Sequence, residues 1–186
     1  DVERVHAYAK FLETAGIERG LIGPREADRI WERHILNCLP VTTLFTEGAT
    51  VFDIGSGAGL PGIVIALAKP ELTVTLIEPL QRRVEFLHEV IDSLKLTNVE
   101  VIRAKSEAIK GSYTYVVARA VAPLPRLIAT TWHLVAPGGS LLAMKGESAA
   151  EEIAQSDLSK AKKHHLHEIK VDDLPLARVV ELVKAG

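Results

Sequence analysis

One unbroken run constrains this chain more than any other: Val51-Phe52-Asp53-Ile54-Gly55-Ser56-Gly57-Ala58-Gly59-Leu60-Pro61-Gly62. An apolar stretch gives way to closely spaced glycines, and a second apolar stretch, Ile63 to Ala68, follows. This order reads as a buried strand that breaks into a glycine-rich turn and then enters a helix. A further apolar run, Leu72 to Ile77, ends in an acid, Glu78. The acid lies roughly twenty residues past the turn, the interval at which α/β nucleoside-binding units place a carboxylate for ribose hydroxyls.

The glycine spacing narrows the ligand. The glycines fall as Gly-x-Gly-x-Gly over Gly55, Gly57 and Gly59, whereas a dinucleotide fingerprint would need its third glycine where Leu60 stands. No Gly-Lys-Ser/Thr follows, so a phosphate-cradling loop is excluded. A turn that admits a nucleoside closely but lacks a pyrophosphate clamp points to S-adenosylmethionine, with S-adenosylhomocysteine as product.

The alternation of the remaining chain sets the fold class. Strands are expected over 50–54, 73–77, 98–103, 114–118 and 140–144, separated by helices over 61–68, 80–94 and 124–135. A polar helix over 148–163 and two closing strands, near 166–171 and 178–183, complete the order. The reading is an α/β fold: a mostly parallel seven-stranded sheet with helices on both faces. Two helices over 2–18 and 25–39 precede it, giving a helical extension over 1–45 and an α/β domain over 46–186, one unit overall. Right-handed crossovers then bring the glycine turn and Glu78 to the carboxyl edge of the sheet, beside the switch in strand order.

Bulk properties exclude several classes. The 186 residues fit one domain, and 47% hydrophobic content supplies a core. No apolar run approaches the ~20 residues of a membrane span. The start at Asp1 lacks a signal-peptide pattern and an initiator methionine, which reads as a trimmed N-terminus. A single cysteine, Cys38, rules out an internal disulfide framework and favours a reducing, cytoplasmic setting. The net charge of -2 leaves any RNA contact to local basic patches. The His164-His165-x-His167 run has no second set of ligands to match it, so no metal is expected.

The chemistry follows from what the edge carries. Gly55, Gly57 and Gly59 let backbone approach the methionine portion of the donor, and Glu78 can accept both ribose hydroxyls. Ser106 and Glu107, in the turn after the third strand, are placed to line the adenine. After the fourth strand comes Arg119-Ala120-Val121-Ala122-Pro123 in place of the Asp/Asn-Pro-Pro-aromatic sequence used for exocyclic amines. Cys38, the one thiol that could attack a pyrimidine carbon, is placed by the sequence in a helix far from this edge. By elimination the acceptor is a lone pair needing no deprotonation, such as guanine N7, attacked in line without an obligatory general base. Arg119 reads either as a surface ion-pair residue or as a grip on the donor carboxylate or a substrate phosphate.

At this point the chain resembles a known family. Asp53 to Gly62, with its Leu60-Pro61-Gly62 ending, looks like the cofactor motif of the bacterial small-subunit ribosomal RNA guanine-N7 methyltransferases, also called the glucose-inhibited division protein B family. Trp31 to Cys38 resembles that family's Trp-x-Arg-His helix, although Asn37-Cys38 stands where many members carry Asp-Ser. Arg119-Ala120 and Met144-Lys145-Gly146 are similar to its later motifs. The resemblance implies a Rossmann-like S-adenosylmethionine-dependent methyltransferase fold over 46–186 with small N-terminal helices, and methylation of N7 of one guanine in the decoding region of 16S rRNA, in the small ribosomal subunit or a late precursor. It implies donor contacts at Gly55, Leu60, Ser106, Glu107 and Arg119, with Glu78 at the ribose. Through its motif it inclines His34 toward substrate contact rather than a plain helix histidine, so Arg119 and His34 are the candidate catalytic residues.

Arg25, Arg29 and Arg33, four apart on the expected second helix, together with Arg82, Arg83 and Lys145, form the candidate RNA-binding set. The competing reading of the three helix arginines is a solvated face interleaved with Glu26, Asp28 and Glu32. The basic run Lys160 to His165 is read as a helix-end cluster. Trp31 and Trp132 are expected in the core. A monomer without membrane contact is expected. A small-molecule methyltransferase, and an rRNA-binding assembly factor that uses the donor only for stability, remain the rival functions.

Overall fold

The computed structural model describes residues 1–186. The β-strands are β1 (Thr50–Ile54), β2 (Thr73–Ile77), β3 (Val99–Ile102), β4 (Tyr113–Arg119), β5 (Val135–Lys145), β6 (Lys163–Ile169) and β7 (Ala177–Val183). They form one sheet in the order β3-β2-β1-β4-β5-β7-β6. The first five pair in parallel, while β7 runs antiparallel to β5 and β6. The helices are α1 (Val2–Phe11), α2 (Leu36–Cys38), α3 (Gly62–Ala68), α4 (Gln81–Leu94), α5 (Leu124–Thr131) and α6 (Ala149–Ala154). No helix is long and apolar enough to cross a membrane.

Strand parity divides the interior into two cores. Val51, Tyr115, Val117, Leu142, Met144 and Val179 face one core, which also takes in Ile63 of α3, Phe86 of α4 and the N-terminal residues Tyr8, Leu12, Ile30, Ile35 and Cys38. Phe52, Ile54, Val116, Ala118, Leu141, Ala143 and Val180 face the other, under α5 and α6. Tyr8, Leu12 and Ile35 are completely or almost completely buried, and each such side chain contributes about 1.5–3 kcal/mol of transfer free energy. The segment before β1 is therefore built into the same core as the sheet. Parity also places the edge residues: Arg119 continues the Tyr115–Val117 face, toward the N-terminal helices, whereas Lys145 continues the Leu141–Ala143 face, toward α6.

Several elements depart from expectation. The helix expected over 2–18 is α1 followed by a wide π-helical turn, Leu12–Gly16, where the Thr14 hydroxyl donates to the Lys10 carbonyl at 2.7 Å. The helix expected over 25–39 is instead a 3-10 segment, Pro24–Arg29, a π-helical segment, Ile30–Ile35, and the short α2. A four-residue interval misses one face by about a third of a turn in 3-10 geometry, so Arg25 and Arg29 do not share the stripe an α-helix would give, although Arg25, Arg29 and Arg33 are all exposed. Trp31 and Trp132 are half-buried at the rims of the two cores.

In the second half, Thr131 ends α5, and β5 starts at Val135, because Gly138 with φ +77° lets Pro137-Gly138-Gly139 bulge against β4. The polar helix expected over 148–163 stops at Ala154. There the Ser156 hydroxyl takes the Glu152 carbonyl and Asp157 accepts from the Ser159 amide. The basic run Lys160 to His165 is consequently not a helix end; it leads into and forms the start of edge strand β6.

Gly62 opens α3 where a Cβ would meet Leu76 and lie 2.6 Å from Asp53 Oδ2, both buried. Gly62→Ala is expected to cost about 1–3 kcal/mol by overpacking, read by chemical denaturation. Gly23→Ala, at a site whose nearest neighbour is a flexible Glu26 methylene and whose φ is negative, should stay within about 1 kcal/mol of wild type.

Candidate active site at the carboxyl edge of the sheet

The order β2-β1-β4 reverses chain direction of travel at β1, so the ends of β1 and β4 flank the switch point where α/β sheets bind ligands. The glycine turn lies there, and two buried carboxylates hold it. Asp53 Oδ2 accepts from the Ser56 hydroxyl at 2.7 Å and the Gly62 amide at 2.9 Å. Glu78 accepts from the Gly57 amide at 3.2 Å through Oε1 and from the Leu80 amide at 2.8 Å through Oε2. Gly55, Gly57 and Gly59 have φ of +64°, +58° and +95°, conformations that an L side chain rarely adopts.

The three glycines differ in what surrounds them. A Cβ on Gly57 would meet almost nothing, and one on Gly55 would lie 3.0 Å from Val121. A Cβ on Gly59 would collide with Ile63 and lie 3.1 Å from the Tyr8 hydroxyl, so glycine is needed there by internal packing. Leu60 is buried beside it.

Three cavities border the segment that follows β4; one, of about 610 Å³, is lined by Ala120 to Pro123 with Lys145, Glu151, Glu152 and Gln155, and the other two bear on the expected site residues. The first of these two, of about 350 Å³, is lined by Gly55, Ile77, Pro79, Ala104 to Glu107, Val121, Ala122 and Arg126. Ser106 is buried and Glu107 exposed; the Glu107 carboxyl is held below its usual range by its own backbone amide and by Ser106. Glu78 lies under this cavity's rim between Ile77 and Pro79, almost fully buried. The second cavity, of about 340 Å³, has Asn37, Arg119, Lys145 and Arg178 as its polar lining and contains neither carboxylate nor histidine. The expected site residues from Gly55 to Arg119 thus gather at one edge.

Arg119 is not a surface ion-pair residue. Its Nη2 lies 2.8 Å from His34 Nδ1 and its Nη1 donates to Cys38 Sγ at 3.3 Å. Because the guanidinium can only donate, His34 Nδ1 is the acceptor and Nε2 carries the proton, which it gives to Glu26 Oε2 at 3.2 Å. Burial and the Arg119 charge lower the His34 pKa, so the ring is neutral at pH 7. Both ring nitrogens are occupied: His34 orients Arg119 and has no free lone pair for a proton.

Cys38, which the sequence places far from this edge, is in the site. The N-terminal segment folds over the Tyr115–Arg119 face and delivers the thiol to Arg119. The thiol is fully buried, and desolvation raises its pKa to about 11, which keeps it protonated. Tyr8, donating to the Ala58 carbonyl at 2.7 Å, and Asp53 complete a buried polar group that sequence reasoning passed over. Only the even spacing Tyr115-Val117-Arg119 and Val51-Asp53 could have signalled that Asp53 and Arg119 share a face.

The expected RNA-binding cations separate into two kinds. Arg25, Arg29 and Arg82 are exposed, as is Arg33, which also pairs with Glu26 at 3.3 Å. Arg83 leans on Glu78 at 3.4 Å, and Lys145 sits 3.0 Å from Glu152 with its side chain only 10% exposed. These last two are engaged internally. No group of three or more His, Cys, Asp or Glu side chains converges as a metal site would require.

Asp53 is fully buried, its Oδ1 has no hydrogen-bond partner, and desolvation raises its pKa to about 7, against the pull of Ser56, Gly62 and Arg119. A carboxyl whose folded pKa exceeds its unfolded value favours folding most below pH ~4, and that favour is lost as pH rises to about 7. The stability of Asp53→Asn relative to wild type should therefore increase between pH 4 and 7 and level off above. Denaturant midpoints across that range test it, and a flat difference refutes it.

Comparisons with known proteins identify the family and the fold. The family model described as rRNA small subunit methyltransferase G matches residues 1–176. The chain is 52% identical over 151 residues to a ribosomal RNA small subunit methyltransferase G of Thermobifida fusca, covering 80% of this chain and 64% of the relative. It is 53% identical over 148 residues to one from a Nocardioides species, covering 78% and 59%. The chain thus spans about three-fifths of the length of these relatives. Among solved structures, a ribosomal protein L11 methylase from Lactobacillus delbrueckii subsp. bulgaricus aligns with TM-score 0.62 at 15% identity, over 81% of this chain and 77% of that one. A SAM-dependent methyltransferase from Aquifex aeolicus aligns with TM-score 0.60 at 16% identity, over 87% and 100%. At that identity the structural likeness establishes the fold, and the sequence match establishes the family: the chain belongs to the rRNA small subunit methyltransferase G family.

Proposed function

We propose that the protein transfers a methyl group from S-adenosylmethionine to N7 of a guanine in small-subunit ribosomal RNA. The observation that carries this reading is the pair of cavities of about 350 and 340 Å³ on either side of the segment after β4. The first suits the donor. Gly55 borders the cavity beneath Val121, open backbone at Gly57 admits the methionine portion, and Glu78, whose oxygens also hold Gly57, Leu80 and Arg83, is the carboxylate proposed to meet the ribose. Ser106 and Glu107 border the adenine. S-adenosylmethionine, when bound, supplies an electrophilic methyl on a sulfonium that is its own leaving group.

The second cavity suits an acceptor that carries phosphate and needs no base. Arg119, Lys145 and Arg178 make its lining cationic, and Asn37 adds an uncharged donor and acceptor. His34 is neutral and fully engaged, the Cys38 thiol stays protonated, and Asp53 is sealed under the turn. A nucleophile with a ready lone pair, such as guanine N7, fits these surroundings. The chain's work is then to hold acceptor and donor in line and exclude water. N7 lies on the deep-groove edge of paired RNA, so the target base is unpaired or flipped out. The exposed Arg25, Arg29, Arg33 and Arg82 are the residues proposed to meet phosphate at the rim, in a small-subunit particle or late precursor.

The test supplies methyl-labelled S-adenosylmethionine and small-subunit particles lacking the modification, then maps nucleosides by mass spectrometry. One 7-methylguanosine is the expected product; label in any other nucleoside, or none, refutes the reading. Arg119→Ala should reduce transfer by about a hundredfold, and His34→Ala by roughly tenfold, in line with loss of about 1.5–3 kcal/mol per charge-assisted hydrogen bond. If His34→Ala instead abolished transfer and changed the pH–rate profile, a base role for His34 would replace the base-free mechanism.

A further inference from the structure

The segment Ala120 to Ala122 is the wall between the proposed donor and acceptor cavities. Val121 and Ala122 line one, and Ala120 lines the other. Little in the segment itself would hold it there. Ala120 adopts φ +52°, which L residues disfavour, Val121 is 43% exposed, and Pro123 has no amide to donate. Val121 nonetheless lies directly over Gly55, 3.0 Å from the position a Cβ would take.

Two side chains from outside the segment fix its second half, on the far side of Val121 from Ala120. Lys145 Nζ donates to the Ala122 carbonyl at 2.8 Å, and Glu152 Oε1 accepts from the Leu124 amide at 2.9 Å. The two are joined to each other at 3.0 Å, and Ser148 donates to the other Glu152 oxygen at 3.1 Å. These are the only side-chain hydrogen bonds that reach residues 120–124. Burial works against the Glu152 charge, but the Leu124 amide, Lys145 and Ser148 outweigh it and hold the carboxyl below its usual range. The Leu124 amide is one of the unsatisfied donors at the start of α5, so this carboxylate also caps that helix.

We propose that Lys145 and Glu152 are a positioning pair: they clamp residues 122–124 so that Val121 covers the glycine turn and the donor and acceptor cavities keep their shared wall. This rests on the methyl-transfer reading above, and it removes Lys145 from the set of phosphate contacts. A phosphate-binding lysine would be freed by neutralising its carboxylate partner, whereas a clamp would be weakened by it, since the amide oxygen accepts without charge assistance. Glu152→Gln therefore separates the two roles.

The experiment compares wild type with Lys145→Met, Lys145→Arg, Glu152→Gln and the Lys145→Met/Glu152→Gln double variant. Amide hydrogen exchange is followed at residues 120–124 without ligand, S-adenosylhomocysteine binding by calorimetry, and kcat and KM for the RNA particle separately. Lys145→Met and Glu152→Gln should each speed Leu124 exchange by about tenfold, the loss of one charge-assisted bond, and weaken S-adenosylhomocysteine binding several-fold. Both should lower kcat by roughly tenfold with KM for RNA within about twofold. Lys145→Arg should recover most of the exchange protection, and the double variant should be no worse than either single, as coupled residues require. Unchanged exchange in Glu152→Gln overturns the proposal. So does a lowered RNA KM in Glu152→Gln paired with a raised KM and unchanged kcat in Lys145→Met, the pattern of a phosphate contact. If wild type modified no RNA, the methyl-transfer reading would fail on its own, and the exchange and calorimetry results would still judge the clamp.

Discussion

The site depends on two carboxylates buried beneath a glycine turn. Asp53, at the end of β1, draws Ser56 and the Gly62 amide inward, and Glu78, just after β2, draws in the Gly57 and Leu80 amides. Between them they satisfy backbone donors that would otherwise be orphaned where the strand stops and α3 begins. The turn is thereby fixed in a positive-φ path that only glycine follows cheaply. The cavity beside Gly55 exists because this path is held open from below. Burying carboxylates is costly, and the structure meets that cost unevenly. Glu78 finds partners for both oxygens, while Asp53 keeps one oxygen unpartnered and its pKa drifts toward neutrality.

From that turn, strand parity distributes the chemistry. Adjacent residues on β4 and β5 point to opposite faces, so one face of the edge receives Arg119 and the other receives Lys145. On the first face the N-terminal segment closes over the sheet and converts Arg119 from an exposed cation into the centre of a relay running from Glu26 through His34 to Cys38. On the second face α6 brings Glu152 to Lys145. Each cation is oriented by a partner remote in sequence, and the segment between β4 and α5 passes between them. A reaction that relies on holding two molecules in line needs this kind of rigidity more than it needs a proton acceptor.

Much of the fold was legible because its signals are local. The seven strands, the mostly parallel character of the sheet and the helices α3, α4 and α5 follow from apolar periodicity and from Gly and Pro punctuation, whereas the antiparallel pairing of β7 with β5 and β6 does not. The reading failed where local propensity was overridden. A helical pattern over 25–39 became 3-10 and π turns as Ile30, Ile35 and Cys38 were drawn into a core they share with β4 and β5. A polar helix over 148–163 was cut short by Ser156 and Asp157, whose side chains compete for backbone groups.

By itself the sequence determined the α/β class, the strand–turn–helix unit at Val51 to Gly62, the acid at Glu78 and the edge position of Arg119, because each is written in neighbours within about a turn or a strand. Only the tertiary structure decided that Cys38 belongs to the site, that His34 has no free nitrogen, that Asp53 and Tyr8 lie beneath it, and that Lys145 is clasped by Glu152. Those facts depend on which distant segments cover each face of the sheet, and on the desolvation that covering brings. Spacing along the chain carries neither.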